Sequence, residues 1–116
     1  VLVPLSKKRD FDRVFSHGRG FRRGPFLLIA LPNALGTVRL GIAIPKRLVP
    51  LATRRNRMRR LIRAVVLANA ERCASHDAVL LLKGKVEIPM RESGASLRKQ
   101  IDDLIIRAFG DRSERT

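Results

Sequence analysis

The chain has no tryptophan and no tyrosine, and it carries a single cysteine. One thiol can form neither an internal disulfide nor a thiolate metal cluster. Cys73, in the run LANAERCASH, is therefore expected to be a small packed hydrophobe. Aromatics make up 4% of the residues, all of them phenylalanine, so aliphatic side chains must supply most of the packing. Long apolar runs are missing too. The longest, Pro25 to Pro32, falls well short of the roughly 18 to 20 residues that span a bilayer. The first residues, VLVPLSKKRDF, place their charges after a short apolar stretch, the reverse of a secretory signal. No membrane partner is expected, and the expected location is cytoplasmic.

Negative charge is scarcest of all. Lys plus Arg number 25 against 10 Asp plus Glu, a net charge of +15 on 116 residues. From Arg13 to Ala70 there are thirteen basic residues and no Asp or Glu. Such a balance says little about fold and much about partners, and nucleic acid is the commonest polyanion. It also weighs against a protein-only nuclease, which would need converging acid and base groups or clustered metal ligands. His17 and His76 are the only histidines, each near a helix end or loop. Asp10 and Asp12 point to opposite sides of a helix, and Asp102 and Asp103 are expected to be solvent-exposed neighbours. No catalytic residue and no metal site is expected on the protein.

The length, with 45% apolar residues, fits one domain with one core over 1–116, frayed at 1–5 and 110–116. Ser6 can cap a short helix carrying Phe11, Val14 and Phe15 at i, i+3, i+4 spacing, stopped by Gly18 and Gly20. Arg19 to Arg22 reads as a short edge strand and PFLLIAL as a strand. VRLGIAIP, after a loop around Gly36, reads as the antiparallel partner of PFLLIAL. Pro50 suits the first turn of a long helix running to about Arg72, with Ser75, His76 and Asp77 as a break. AVLLLKG is a short unbroken apolar run, the mark of a buried strand. A last helix, capped by Ser93 or Ser96, buries Leu97, Ile101, Leu104, Ile105 and Ala108. The order α-β-β-β-α-β-α predicts an α+β fold: a small, mostly antiparallel sheet packed with helices in a two-layer sandwich, with the arginine-rich helix central in the order.

That helix holds RRNRMRRLIR, Arg54 to Arg63, with six arginines in ten positions. On a helical wheel Met58, Leu61, Ile62, Val65 and Asn69 fall within about 100° of one another, leaving the arginines the remaining arc. Arg55, Arg59 and Arg63 form like-charge i, i+4 pairs, each unfavourable by roughly 0.2–0.5 kcal/mol. Folding gains nothing from this, whereas phosphates would remove the repulsion and release counterions. A helix-turn-helix reading fails because Val38 to Pro45 is a strand. A membrane-surface helix fails because the core needs the apolar face.

The segment Arg55-Asn56-Arg57-Met58-Arg59-Arg60-Leu61-Ile62-Arg63 resembles the RNR motif of the bacterial ribonuclease P protein family. Lys8-Arg9-Asp10-Phe11 with Val14, Phe15 and Gly18, and Arg39-Leu40-Gly41-Ile42 leading to Lys46-Arg47, agree with it. The resemblance implies a fold with the arginine-rich helix in a left-handed crossover connection, and a protein that assists a catalytic RNA, with magnesium acting through the RNA, in removing the 5′ leader of precursor tRNA. The implied partners are that RNA subunit and the single-stranded leader, with no DNA. By position, Arg54, Arg55, Asn56, Arg57, Arg59, Arg60 and Arg63 would contact the catalytic RNA. Phe11, Phe15, Phe26, Arg39, Lys46 and Arg47 would line a leader cleft between the first helix and the sheet, where aromatics stack on bases and cations follow the backbone. Two positions depart from the pattern: Pro45 stands where the family often has serine, and Ala64 where an acidic residue usually follows the last motif arginine. The alternative from another class is a structural RNA-binding protein of ribosomal type.

Overall fold

In the computed structural model, which describes residues 2–86 and 90–110 apart from the side chains of 90–93, five strands form one sheet. They are β1 (Leu2–Pro4), β2 (Arg19–Arg23), β3 (Phe26–Pro32), β4 (Val38–Ala43) and β5 (His76–Leu82), in the spatial order β1-β4-β5-β3-β2. The helices are α1 (Lys8–His17), α2 (Ala52–Ala68), α3 (Ala70–Cys73) and α4 (Met90–Phe109). The class is α+β, as expected. The arginine-rich helix α2 lies in the connection between β4 and β5, which pair in parallel.

Burial explains the order. In β3, Phe26, Leu28 and Ala30 enter the larger core, while Ile29 and Leu31 pack into a second cluster on the other face. β5 alternates in the same way, with Ala78, Leu80 and Leu82 on one face and Val79 and Leu81 on the other. A strand covered on both faces reads as an unbroken apolar run, and such a strand belongs in the middle of a sheet. So β5, and not β4, is the neighbour of β3. It pairs antiparallel from Phe26↔Leu82 to Pro32↔His76, and the expected hairpin between β3 and β4 is opened by its insertion. The residues expected to break the chain, His76 and Asp77, already belong to β5.

Two covered faces also correct the expected two layers. Buried residues of α2, α3 and α4, among them Met58, Ile62, Cys73, Leu97 and Ile101, close the larger core. α1 packs on the opposite face, where Val14, fully buried, meets Leu5 and Val79. The N-terminus is likewise not frayed from residue 2. β1 pairs in parallel with β4, the Leu5 N–H donates to the Leu40 carbonyl at 2.8 Å, and Leu5 is 4% exposed. The predicted fraying of 111–116 lies outside the described residues.

Helix boundaries differ from the sequence reading in four places. α1 starts after Lys7, with no side-chain cap from Ser6 or any other residue. Leu51 is the N-cap of α2, which begins at Ala52, so Pro50 lies one residue before the cap instead of in the first turn. α2 stops at Asn69, whose Nδ2 donates to the Val65 carbonyl at 2.8 Å and to Asp102 Oδ1 at 3.0 Å, so the expected continuation to Arg72 becomes the separate short helix α3. α4 begins at Met90, well ahead of Ser96, which is therefore not its cap, while the Ser93 side chain lies outside the described set.

Candidate nucleic-acid interface

On α2 the core takes Met58, Ile62, Val65 and Val66, with Leu61 packed at its margin. Arg54, Asn56, Arg57, Arg60 and Arg63 are exposed, and Arg55 and Arg59 are half-buried. Among the described residues, the four ion pairs involve Arg13, Arg23 and Arg39, and no α2 arginine meets a carboxylate. Arg55 is engaged differently: its Nη1 donates to the carbonyls of Val49 and Pro50, both at 2.9 Å, tying the helix to the turn before it. On that turn the Leu48 and Val49 N–H groups donate to the Pro45 carbonyl, and Lys46 and Arg47 stand exposed. A face of unpaired guanidiniums, continued by this turn, suits phosphate oxygens, which each planar fork can grip at two points.

The second surface is the face of the sheet that carries α1. Phe11 lies against Gly41, where a Cβ would come within 2.6 Å of its ring. Only glycine leaves room for that contact. One turn along α1, Phe15 is 46% exposed, and its ring centroid lies 6.4 Å from that of Phe11. Beyond α1 the sheet continues through Ala43, Leu81 and Leu27, in register across β4, β5 and β3, to Arg22 on β2. These three apolar residues are half-buried, and Arg22 is exposed. The result is an apolar floor beside an aromatic wall, with a cation at its far edge.

Two residues expected to line this cleft are committed to the fold. Phe26 is 1% exposed on the opposite face, inside the larger core, because β3 alternates and its neighbour Leu27 faces α1's side. Arg39 is on the correct face but is turned to Asp77. Its Nε donates to Oδ1 at 2.7 Å and its Nη2 to Oδ2 at 2.6 Å, while Asp10 approaches its Nη1 at 3.5 Å.

Sequence reasoning missed Asp77 as a functional support. It is fully buried, and it also accepts from Arg13 Nη2 and Asn33 Nδ2, each at 2.8 Å. Burial alone would push its carboxyl up, but the hydrogen bonds from Arg39, Asn33 and Arg13 outweigh that and hold it below the ordinary aspartate value. The same pairing, chiefly the Asp77 hydrogen bond, raises the Arg39 guanidinium. Arg13 and Asp10 are on α1 and Arg39 and Asp77 are on the sheet, so this network fixes the helix that forms the cleft wall. The available signal was an acid at the head of an apolar strand in a chain short of acids.

The remaining candidates are dispersed. His17 is exposed, and His76 lies edge-on to Phe109 at 4.8 Å, with its Nδ1 3.0 Å from the Ala74 carbonyl. Asp103 pairs with Arg23 at 3.4 Å and Asp102 meets Asn69, so both are half-buried, in contrast to the exposure expected of them. Among the described residues no three His, Cys, Asp or Glu side chains converge as a metal site would require, and no helix is long and apolar enough to cross a membrane.

The family model described as Ribonuclease P matches residues 3–108. The "Ribonuclease P protein component" of Aromatoleum aromaticum is 30% identical over 106 residues, covering 91% of this chain and 83% of that one. The protein of the same description from Legionella pneumophila strain Corby is 41% identical over 59 residues, about half of each chain at 51% and 52%. The fold is similar to that of the Staphylococcus aureus RNase P protein, with a TM-score of 0.77 at 21% identity over 91% of this chain and 96% of that one.

Proposed function

Because the chain belongs to the ribonuclease P protein family, we propose that it is the protein subunit that binds the catalytic RNA through α2 and the 5′ leader of precursor tRNA through the cleft beside α1. The observation that carries this reading is the pair of unlike surfaces. One is a purely cationic helix face whose opposite side is committed to the core. The other is a half-buried apolar sheet face beside an exposed Phe15. Arg54, Asn56, Arg57, Arg60 and Arg63 would meet the RNA subunit directly, and Arg55 and Arg59 would contribute from the margin. Phe15 would stack on leader bases, with Arg22, Lys46 and Arg47 following phosphates, since stacking and charge together hold single strands with little dependence on sequence. Phe11 would support Phe15 from its seat on Gly41.

In this reading the protein positions and the RNA performs the hydrolysis. Magnesium would be held by RNA phosphates, which suit a hard cation. Among the described residues Asp77 is enclosed by its three donors, and the other acids do not gather into a comparable site. The contribution of the protein would be electrostatic screening of two RNA molecules, which lowers the magnesium needed for them to meet. A structural RNA-binding protein of ribosomal type is not favoured, since the family match runs through nearly the whole chain.

The test is cleavage of a precursor tRNA by a bacterial ribonuclease P RNA at low magnesium, with the protein, without it, and with the protein alone. The expected result is an inert protein that restores cleavage by the RNA, with the effect blunted by Arg57→Ala combined with Arg60→Ala. Stimulation no greater than that of an equally basic peptide would overturn the proposal.

A further inference from the structure

Next to the arginine face, between α2 and α4, lies an open groove of about 410 Å³. Its floor on the α2 side includes Ala64 and Ala68, and its α4 side carries Arg98 and Lys99. Arg57, Ala64 and Ala68 are spaced by seven and four residues, which sets them along one stripe of the helix. The stripe that begins with exposed Arg57 therefore runs on into a channel with short side chains below and cations beside it. Asp102 is also in the groove, at i+4 from Arg98 and i+3 from Lys99, spacings at which a carboxylate commonly pairs. It is directed instead to Asn69 Nδ2, and among the described residues neither Arg98 nor Lys99 has a carboxylate partner.

We propose that this groove is a second contact for the catalytic RNA, seating one stretch of its sugar–phosphate backbone over Ala64 and Ala68, with Arg98 and Lys99 on the phosphates. The proposal rests on the α2 reading above and extends that interface onto α4. Charge decides the occupant. An apolar peptide would have to desolvate two cations that form no ion pair among the described residues, whereas a phosphate backbone supplies the counter-charge and releases counterions. The short floor decides the depth, because alanines let a backbone approach the helix more closely than the arginines of the preceding turns allow. Two helices of the larger core would then hold one RNA strand between them, which fixes orientation as well as affinity.

The experiment is the salt dependence of binding to a transcribed bacterial ribonuclease P RNA, and to an unrelated hairpin RNA of similar length, for the wild type, Arg98→Ala with Lys99→Ala, and Arg57→Ala with Arg60→Ala. Both α4 side chains are exposed, and equal melting temperatures will verify folding. The expected loss on the ribonuclease P RNA is about tenfold or more, with the slope of log K against log salt shallower by about 2, and a smaller loss on the hairpin. Equal losses on the two RNAs would reduce the groove to general charge and overturn the proposal. So would an unchanged slope in the α4 variant. If the α2 variant still weakens binding in that case, only the groove fails; if neither variant does, the α2 reading fails with it.

Discussion

Arg39 and Asp77 stand opposite each other across the parallel strands β4 and β5, joined by two hydrogen bonds of 2.7 and 2.6 Å, the carboxylate fully buried and the guanidinium side chain 20% exposed. Arg39 therefore belongs to the fold before it belongs to any ligand. Asp77→Asn would leave Arg13 and Arg39 without their buried counter-charge, and breaking a buried pair from one side is unfavourable by about 3–5 kcal/mol. Urea unfolding is expected to show that loss. Arg39→Lys should lose about 1.5–3 kcal/mol, the worth of one charged hydrogen bond, because an ammonium cannot reproduce the bidentate fork. A stable Arg39→Lys protein with selectively weakened leader binding would instead return Arg39 to the cleft.

The same network sets a dependence on pH. Asp77 is held below the ordinary aspartate value of about 3.9, so its contribution to stability is fully present above that value and is lost as pH falls through its folded-state value. Acid unfolding of the wild type should therefore steepen below about pH 4. Asp77→Asn, less stable at neutral pH, should show a flatter acid limb. Parallel acid limbs for the two proteins would show that Asp77 does not carry this linkage.

Phe11 and Phe15 share one helix face but should answer differently to substitution. Phe15→Ala removes a ring that is 46% exposed and should change stability little, while weakening binding of precursor tRNA by about 1–3 kcal/mol and leaving mature tRNA unaffected. Gly41→Ala places a methyl group 2.6 Å from the Phe11 ring and should shift α1, destabilising by about 1–3 kcal/mol. Fluorescence binding of leader-bearing and leaderless tRNA would separate the two. Equal loss for both RNAs in Phe15→Ala would take the leader out of this cleft.

Periodicity made much of this legible. The apolar stripe of α2 and the run AVLLL of β5 each state their own burial, and the acid-free arginine face states its need for a polyanion. What the sequence hid depends on contacts between distant segments. β1 is three residues long and has no alternation to show, so only its pairing with β4 reveals it. The neighbour rule for consecutive strands favoured β3 beside β4, and the gain from burying both faces of β5 prevailed over it. Phe11, Phe15 and Phe26 look alike as residues. Which of them meets solvent depends on the face that α1 occupies, and that was not written in any single segment. Asp77 was read as a chain break because its partners lie 38, 44 and 64 residues away.

Charge repulsion gives the last prediction. α2 has no acid in its first turn to complement the helix dipole, and Arg55, Arg59 and Arg63 repeat like charge at i, i+4 within a chain of net charge +15. The free protein should therefore be weakest at low salt, and anions that bind only the folded face should stabilise it by mass action. At matched ionic strength, millimolar sulfate is expected to raise Tm above its value in chloride. Arg63→Gln removes its like-charge pairs with Arg59 at i, i+4 and Arg60 at i, i+3 at nearly constant helix propensity, so it should gain roughly 0.2–0.5 kcal/mol per pair at low salt and respond less to sulfate. Because the weak exclusion of sulfate from protein surfaces acts on both proteins alike, the difference between their responses isolates binding at α2. A Tm that stays flat in sulfate, or rises equally in both proteins, would mean that the arginine face tolerates its own charge without a partner.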